Sequence, residues 1–116
     1  METTGTLYVV ATPIGNLEDI SARAIAALKQ VDLIAAEDTR HSKRLLQHFA
    51  VSTPLTSYHD FSSDADVQKL LDDLSAGRSI ALISDAGTPL ISEPGFRLVE
   101  KARACGIAVI PVPGAS

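Results

Sequence analysis

One cysteine, Cys105, is all that this 116-residue sequence offers for thiol chemistry. A disulfide within the chain and a multi-cysteine zinc site are therefore excluded. A lone thiol fits a reducing compartment. No apolar run approaches the ~20 residues of a membrane span. The opening METTGTLYVV has neither the basic region nor the apolar core of a secretion signal. Positive charge is not in excess: 10 Lys and Arg against 14 Asp and Glu give a net charge of -4. A small autonomous nucleic-acid-binding module would be basic. RNA stays open as a substrate, because a local patch or a second domain can supply the contacts. The three histidines do not converge with other ligands at metal-binding spacing, so no metal is expected. What remains is 46% apolar and 21% charged, enough for one core and too apolar for disorder. The expectation is a cytoplasmic, membrane-free, single globular domain over residues 1–116.

Two periods alternate along the chain. TLYVVA (6–11), VDLIAA (31–36), SIALIS (79–84) and IAVIPV (107–112) are short apolar runs without in/out alternation, and residues 54–58 form a weaker one. Between them apolar residues recur at helical spacing. Ile20, Ala24, Leu28 and Val31 mark one helix, with Asp19 or Ser21 as its N-cap. Leu45, Leu46 and Phe49 mark a second, from about Thr39. Val67, Leu70, Leu71 and Leu74 mark a third, opened by a capping-box pair, Ser63 and Asp66, and stopped by Gly77. Leu98, Val99, Ala102 and Cys105 mark a fourth, opened at Ser92-Glu93-Pro94 and ended by Gly106. Strands buried on both faces and separated by amphipathic helices predict a doubly wound α/β domain. Its five-stranded parallel sheet carries helices on both faces. The ending Pro113-Gly114-Ala115-Ser116 reads as a loop leading into another helix, so the chain is expected to be part of a longer protein.

In such sheets ligands bind beyond the carboxyl ends of the strands. The first of these loops, with Pro13 and Gly15, is neither G-x-G-x-x-G nor a phosphate loop, and serves either a ligand or a plain Pro/Gly turn. The loop Ser84-Asp85-Ala86-Gly87-Thr88-Pro89 puts an acid and a permissive glycine at a strand end. It lacks the paired carboxylates of Asp-x-Asp-Gly-Thr phosphatases, since Ser84 and Ala86 stand in their places. Glu37-Asp38-Thr39 offers a ribose ligand, a base or a helix N-cap. Arg40, Lys43 and Arg44 oppose the dipole of the helix they open, which suits an external anion as well as a solvated face. His59 is a base, a phosphate contact or neither. His41 and His48 read as helix-surface residues.

Taken together, YVVATPIGNLEDIS, LIAAEDTR, ALISDAGTPLISEPG and PVPGAS resemble the amino-terminal domain of the tetrapyrrole methylase superfamily. The closer likeness is to its branch that methylates ribose 2′-oxygens in ribosomal RNA. The four blocks stand in order at strand ends and span nearly the whole chain. The resemblance implies S-adenosylmethionine as methyl donor and a cytidine in 16S ribosomal RNA of the small subunit as acceptor. It also implies a homodimer, no metal, and a second, carboxyl-terminal methylase domain sharing the donor cleft. Carried over by position, Pro13, Gly15, Ser84, Asp85, Ala86, Gly87, Thr88, Pro89, Ala115 and Ser116 would line the donor site. Asp38 and His59 are the candidate catalytic residues, and Arg40, Lys43 and Arg44 the candidate RNA contacts. Where relatives read His-Glu-His-Asn, this chain reads His59-Asp60-Phe61-Ser62, so the second histidine is replaced. Two alternatives stand beside this reading. One is methylation of a corrin or porphyrin precursor; the other is a non-catalytic nucleotide-binding or dimerisation module.

Overall fold

The computed structural model describes residues 4–12, 20–37, 39–58, 64–84 and 94–112, with the backbone alone at 84 and 94–96. Strands and helices alternate: β1 (Thr6–Ala11), α1 (Ala22–Gln30), β2 (Leu33–Ala36), α2 (Thr39–His48), β3 (Leu55–Ser57), α3 (Asp64–Ser75), β4 (Ile80–Ser84), α4 (Pro94–Ala104) and β5 (Ala108–Val112). All pairings are parallel, in the order β3-β2-β4-β1-β5.

Side chains alternate across the sheet and sort into two apolar layers. Leu7, Val9, Ala35, Ile80 and Leu82 face α3 and α4, meeting Val67, Leu70, Leu71, Leu74, Leu98, Val99 and Ala102. Val10, Ile34, Ala36, Ala81, Ile83 and Val112 face α1 and α2, meeting Ala24, Ala27, Leu28, Leu45 and Leu46. This two-sided burial is why β1, β2 and β4 show no polar face; the edge strand β5, also expected to be buried, keeps only Val112 buried because it has a neighbour on one side alone. Each fully buried Leu or Ile contributes about 1.5–3 kcal/mol relative to exposure.

At the amino ends of the strands one residue ties three of them together. The Ser79 N–H donates to the Asp32 carboxylate at 2.8 Å, and the Ser79 carbonyl accepts from the Asp32 N–H at 2.9 Å. Its Oγ accepts from the Thr6 N–H at 3.1 Å. Gly5, just before β1, passes so close to the segment after α3 that a Cβ there would overlap the Arg78 carbonyl. Its N–H donates to the Leu74 carbonyl at 2.7 Å.

Helix α1 is capped by Ser21, whose Oγ accepts from the Ala24 N–H at 3.1 Å. Ser63, Ser92 and Glu93, the expected openers of α3 and α4, lie outside the described residues. Helices α2, α3 and α4 end alike. Each closes with a 6→1 bond, Val51 N–H to Leu46 O at 2.8 Å, Arg78 to Asp73 at 3.0 Å and Ile107 to Ala102 at 2.9 Å. In each a left-handed residue makes the turn: Gly77 at φ 97°, Gly106 at φ 80°, and Ala50 at φ 56°. Two sequence expectations change here. Cys105 is exposed, not inward, because α4 stops at Ala104 and Cys105 belongs to the closing turn. Phe49 is only half-buried, for the same reason at the end of α2. At the sheet's two edges stand three-residue β3 and β5, which carries Pro111 and the exposed Ile110.

Two substitutions test this account by urea unfolding. An alanine in the left-handed region costs about 1–2 kcal/mol, so Ala50→Gly should raise stability by up to about 1 kcal/mol after the added chain entropy of glycine. Gly5→Ala should lower it by about 1–3 kcal/mol through overpacking against backbone. A neutral result for either would show that the local backbone relaxes freely.

Candidate functional site

The pairing register brings all five carboxyl ends to one rim. Ala11 lies beside Ser84, Val10 beside Val112, and Ala36 beside both Ile83 and Ser57. The loops after β1, β2, β3, β4 and β5 therefore leave from the same side of the sheet. Their directions differ. β1 and β2 are followed by α1 and α2 on one face, whereas β4, standing between them, is followed by α4 on the other. Connections from neighbouring strands thus part to opposite faces on either side of β4, the arrangement that opens a ligand crevice in doubly wound sheets.

Small residues end the strands at this rim: Ala11, Ala36, Ser57 and Ser84. Two larger polar residues are buried beside them, Thr12 at 5% and Tyr58 at 1% exposure. The Tyr58 N–H donates to the Ala36 carbonyl at 2.9 Å. Of the residues expected at the site, Ser84 is the last of β4. Pro13, Gly15, Asp38, His59, Asp85, Ala86, Gly87, Thr88, Pro89, Ala115 and Ser116 lie outside the described residues. The described residues that precede them in the chain, Thr12, Glu37, Tyr58, Ser84 and Val112, stand at the rim. Sequence reasoning passed over Thr12 as part of a turn. Its burial next to Ala11 is visible only once β1 is placed between β4 and β5.

The basic cluster is divided by its helix. Arg40 and Lys43, three positions apart, share one face of α2 with Gln47. Together with Thr39, Leu46, residues 51–53 and β3, they line a groove of about 680 Å³. Arg44, one position further round, is exposed but does not line it. The Thr53 hydroxyl, on the groove floor, donates to the Leu28 carbonyl at 2.8 Å and holds this loop against the end of α1. A smaller hollow of about 270 Å³ flanks the other side of β3, lined by Asp66, Asp73, Lys69 and Arg78 among others. No group of three or more potential metal ligands occurs among the described residues. No described helix is long and apolar enough to cross a membrane.

Residues 6–116 match the sequence profile of the tetrapyrrole (corrin/porphyrin) methylases. The chain belongs to this family. The tetrapyrrole methylase fold is also what solved structures share with it. A cobalt precorrin-4 methyltransferase superposes with a TM-score of 0.75 at 18% identity, over 96% of this chain and 46% of that one. Uroporphyrin-III C-methyltransferase from Thermus thermophilus gives 0.73 at 20% identity, over 97% and 48%. Sequence relatives are much nearer. The ribosomal RNA small subunit methyltransferase I of Halalkalibacterium halodurans is 60% identical over 97% of this chain, and that of Pseudomonas aeruginosa 59% over 95%. The chain spans 39% of the length of each of these two relatives.

Within this tetrapyrrole methylase domain one buried group is unsatisfied among the described residues. Ser42, on the inner face of α2 with Leu45 and Leu46, is 1% exposed and its Oγ has no hydrogen-bond partner. An orphaned buried hydroxyl costs about 1–3 kcal/mol. Ser42→Ala should therefore hold or raise the unfolding midpoint, by up to about 1 kcal/mol of stability, net of the small void left behind. A clear loss of stability would mean that the hydroxyl is bonded in solution.

Proposed function

We propose that these residues form the amino-terminal part of an S-adenosylmethionine-dependent methyltransferase acting on the small ribosomal subunit. Its product is a 2′-O-methylated cytidine in 16S ribosomal RNA. The observation that carries this reading is the 60% identity, across 97% of the chain, to a protein named for that substrate. The solved tetrapyrrole methylases share the fold at 18–20% identity, which speaks to architecture and not to acceptor.

The rim suits the donor. Ala11, Ala36 and Ser84 leave the backbone at the strand ends open to close approach. Pro13, Gly15, residues 84–89, Ala115 and Ser116 would bind the donor's adenine, ribose and amino-acid ends through backbone groups and short polar side chains. S-adenosylmethionine, when bound, would supply an electrophilic methyl carbon on a sulfonium, with the neutral thioether as the leaving group. The chain's part is to hold the two reactants aligned and to exclude water. A ribose hydroxyl is a weak nucleophile, so an acceptor for its proton is required as the carbon–oxygen bond forms. Asp38 and His59, each two residues past the end of its strand, β2 and β3, are the groups assigned that role. Arg40 and Lys43 stand on the RNA side. The homodimer and the cytoplasmic location rest on the family resemblance and on the ribosome as substrate.

The test is methyl transfer by the full-length protein to unmodified small subunits, with the modified nucleotide mapped and a panel of tetrapyrrole precursors run beside it. Asp85→Ala should weaken donor binding by about tenfold, the worth of one hydrogen bond to a charged group, without lowering the melting temperature. Residues 1–116 alone should give no detectable turnover, since a half-cleft leaves the donor wet and unaligned. Transfer to a tetrapyrrole and not to RNA would overturn the assignment of acceptor.

A further inference from the structure

We infer that the groove between α2 and the open edge of β3 is a binding site for single-stranded RNA leading to the catalytic rim. The inference deepens the function proposed above and rests on it. Three observations carry it. The first is charge. Within a chain of net charge -4, the lining of this groove brings Arg40 and Lys43 together with Gln47 and the hydroxyl residues Thr39, Ser52, Thr53, Thr56 and Ser57. Among the described residues its lining contains no carboxylate. The flank across β3 has nearly the same strand residues for one wall, yet it mixes Asp66 and Asp73 with Lys69 and Arg78. A polyanion has reason to choose the first side and none to choose the second.

The second observation is placement. β3 ends the strand order and pairs with β2 alone, so its outer edge carries no strand among the described residues. The groove starts beside Ser52 and Thr53, before β3, and ends at Ser57 and Thr39, where β3 stops and α2 begins at the rim. A backbone laid in it is delivered to the segments that hold Asp38 and His59. The third is chemistry. Hydroxyl and amide groups both donate and accept, as a ribose 2′-hydroxyl does. A lysine ammonium meets a phosphate as a point charge. At about 680 Å³ the groove is also far too large for a single bound ion.

The experiment uses the full-length protein and a short fluorescein-labelled oligocytidylate, followed by anisotropy across a salt series. Lys43 and Ser52 are both exposed, so their variants should fold, and melting temperatures are the check. Lys43→Gln should weaken binding by about three- to tenfold and reduce the slope of log K against log salt by about 0.7, one phosphate contact on a single strand. Ser52→Glu, which puts a carboxylate in the groove, should weaken it at least as much. Lys69→Gln, an equal charge change on the opposite flank, should move neither quantity. In turnover on small subunits, Lys43→Gln should raise KM and leave kcat in place. Equal losses for Lys43→Gln and Lys69→Gln would reduce the effect to net charge and overturn the groove. So would an oligonucleotide that does not bind the parent protein, or binding indifferent to both groove variants. Oligonucleotide binding needs no methyl donor. Failure of RNA methylation with groove-dependent binding intact would therefore count against the proposed reaction and not against the groove.

Discussion

Everything in this domain is arranged around β4. Its neighbours β1 and β2 pair with its two edges, and Ile80, Ala81, Leu82 and Ile83 are buried on alternate faces. A strand so enclosed has no tolerance for a slip in register, because a shift of one residue would exchange the two apolar layers. Ser79 fixes that register at the amino end by bonding to β1 and to the residue before β2 at once. The same strand also decides where a ligand can sit. Parallel strands joined by right-handed crossovers must change face when the chain changes direction along the sheet. Helices α1 and α2 accompany the run from β1 through β2 to β3, and α3 and α4 the return through β4 to β5. The parting of the connections at the carboxyl end of β4 is thus a consequence of topology before any side chain contributes.

The class of fold was legible because burial on both faces erases alternation, leaving runs such as SIALIS that are too short for helices. Helix ends were legible where glycine marked them. Gly77 and Gly106 announced turns that the structure contains, whereas Ala50 makes the same turn with a residue that gives no such signal. Cys105 was misplaced by the same logic: helical spacing was extended one residue past the point where the closing turn had taken over. The order of strands could not be read from local sequence. It depends on which runs meet across the sheet, and with it went the groove beside β3. Within the stretch STPLTS only the residues from Pro54 on read as strand, and as a weak one. Only the packing of α2 at the sheet's edge turns its hydroxyls into one wall of a polar channel.

The comparisons illustrate how much of a protein a fold specifies. At 18–20% identity the cobalt precorrin-4 and uroporphyrin-III methyltransferases keep the frame. That frame demands only apolar runs, helix faces and turns in the right places. The relatives at 59–60% identity keep individual residues as well. A shared frame leaves the residues at the strand ends free to differ between proteins of different function.

The two edges of the sheet bear on whether further strands can add to it. An open parallel sheet offers two rows of unpaired peptide groups, and such rows recruit other chains into extended aggregates. Here β3 is only three residues long, too short to seed much pairing. β5 carries Pro111, whose ring deprives that edge of a donor. The exposed Ile110 beside it would otherwise make a tempting seam. Each edge of the sheet thus carries its own obstacle to pairing with a further strand.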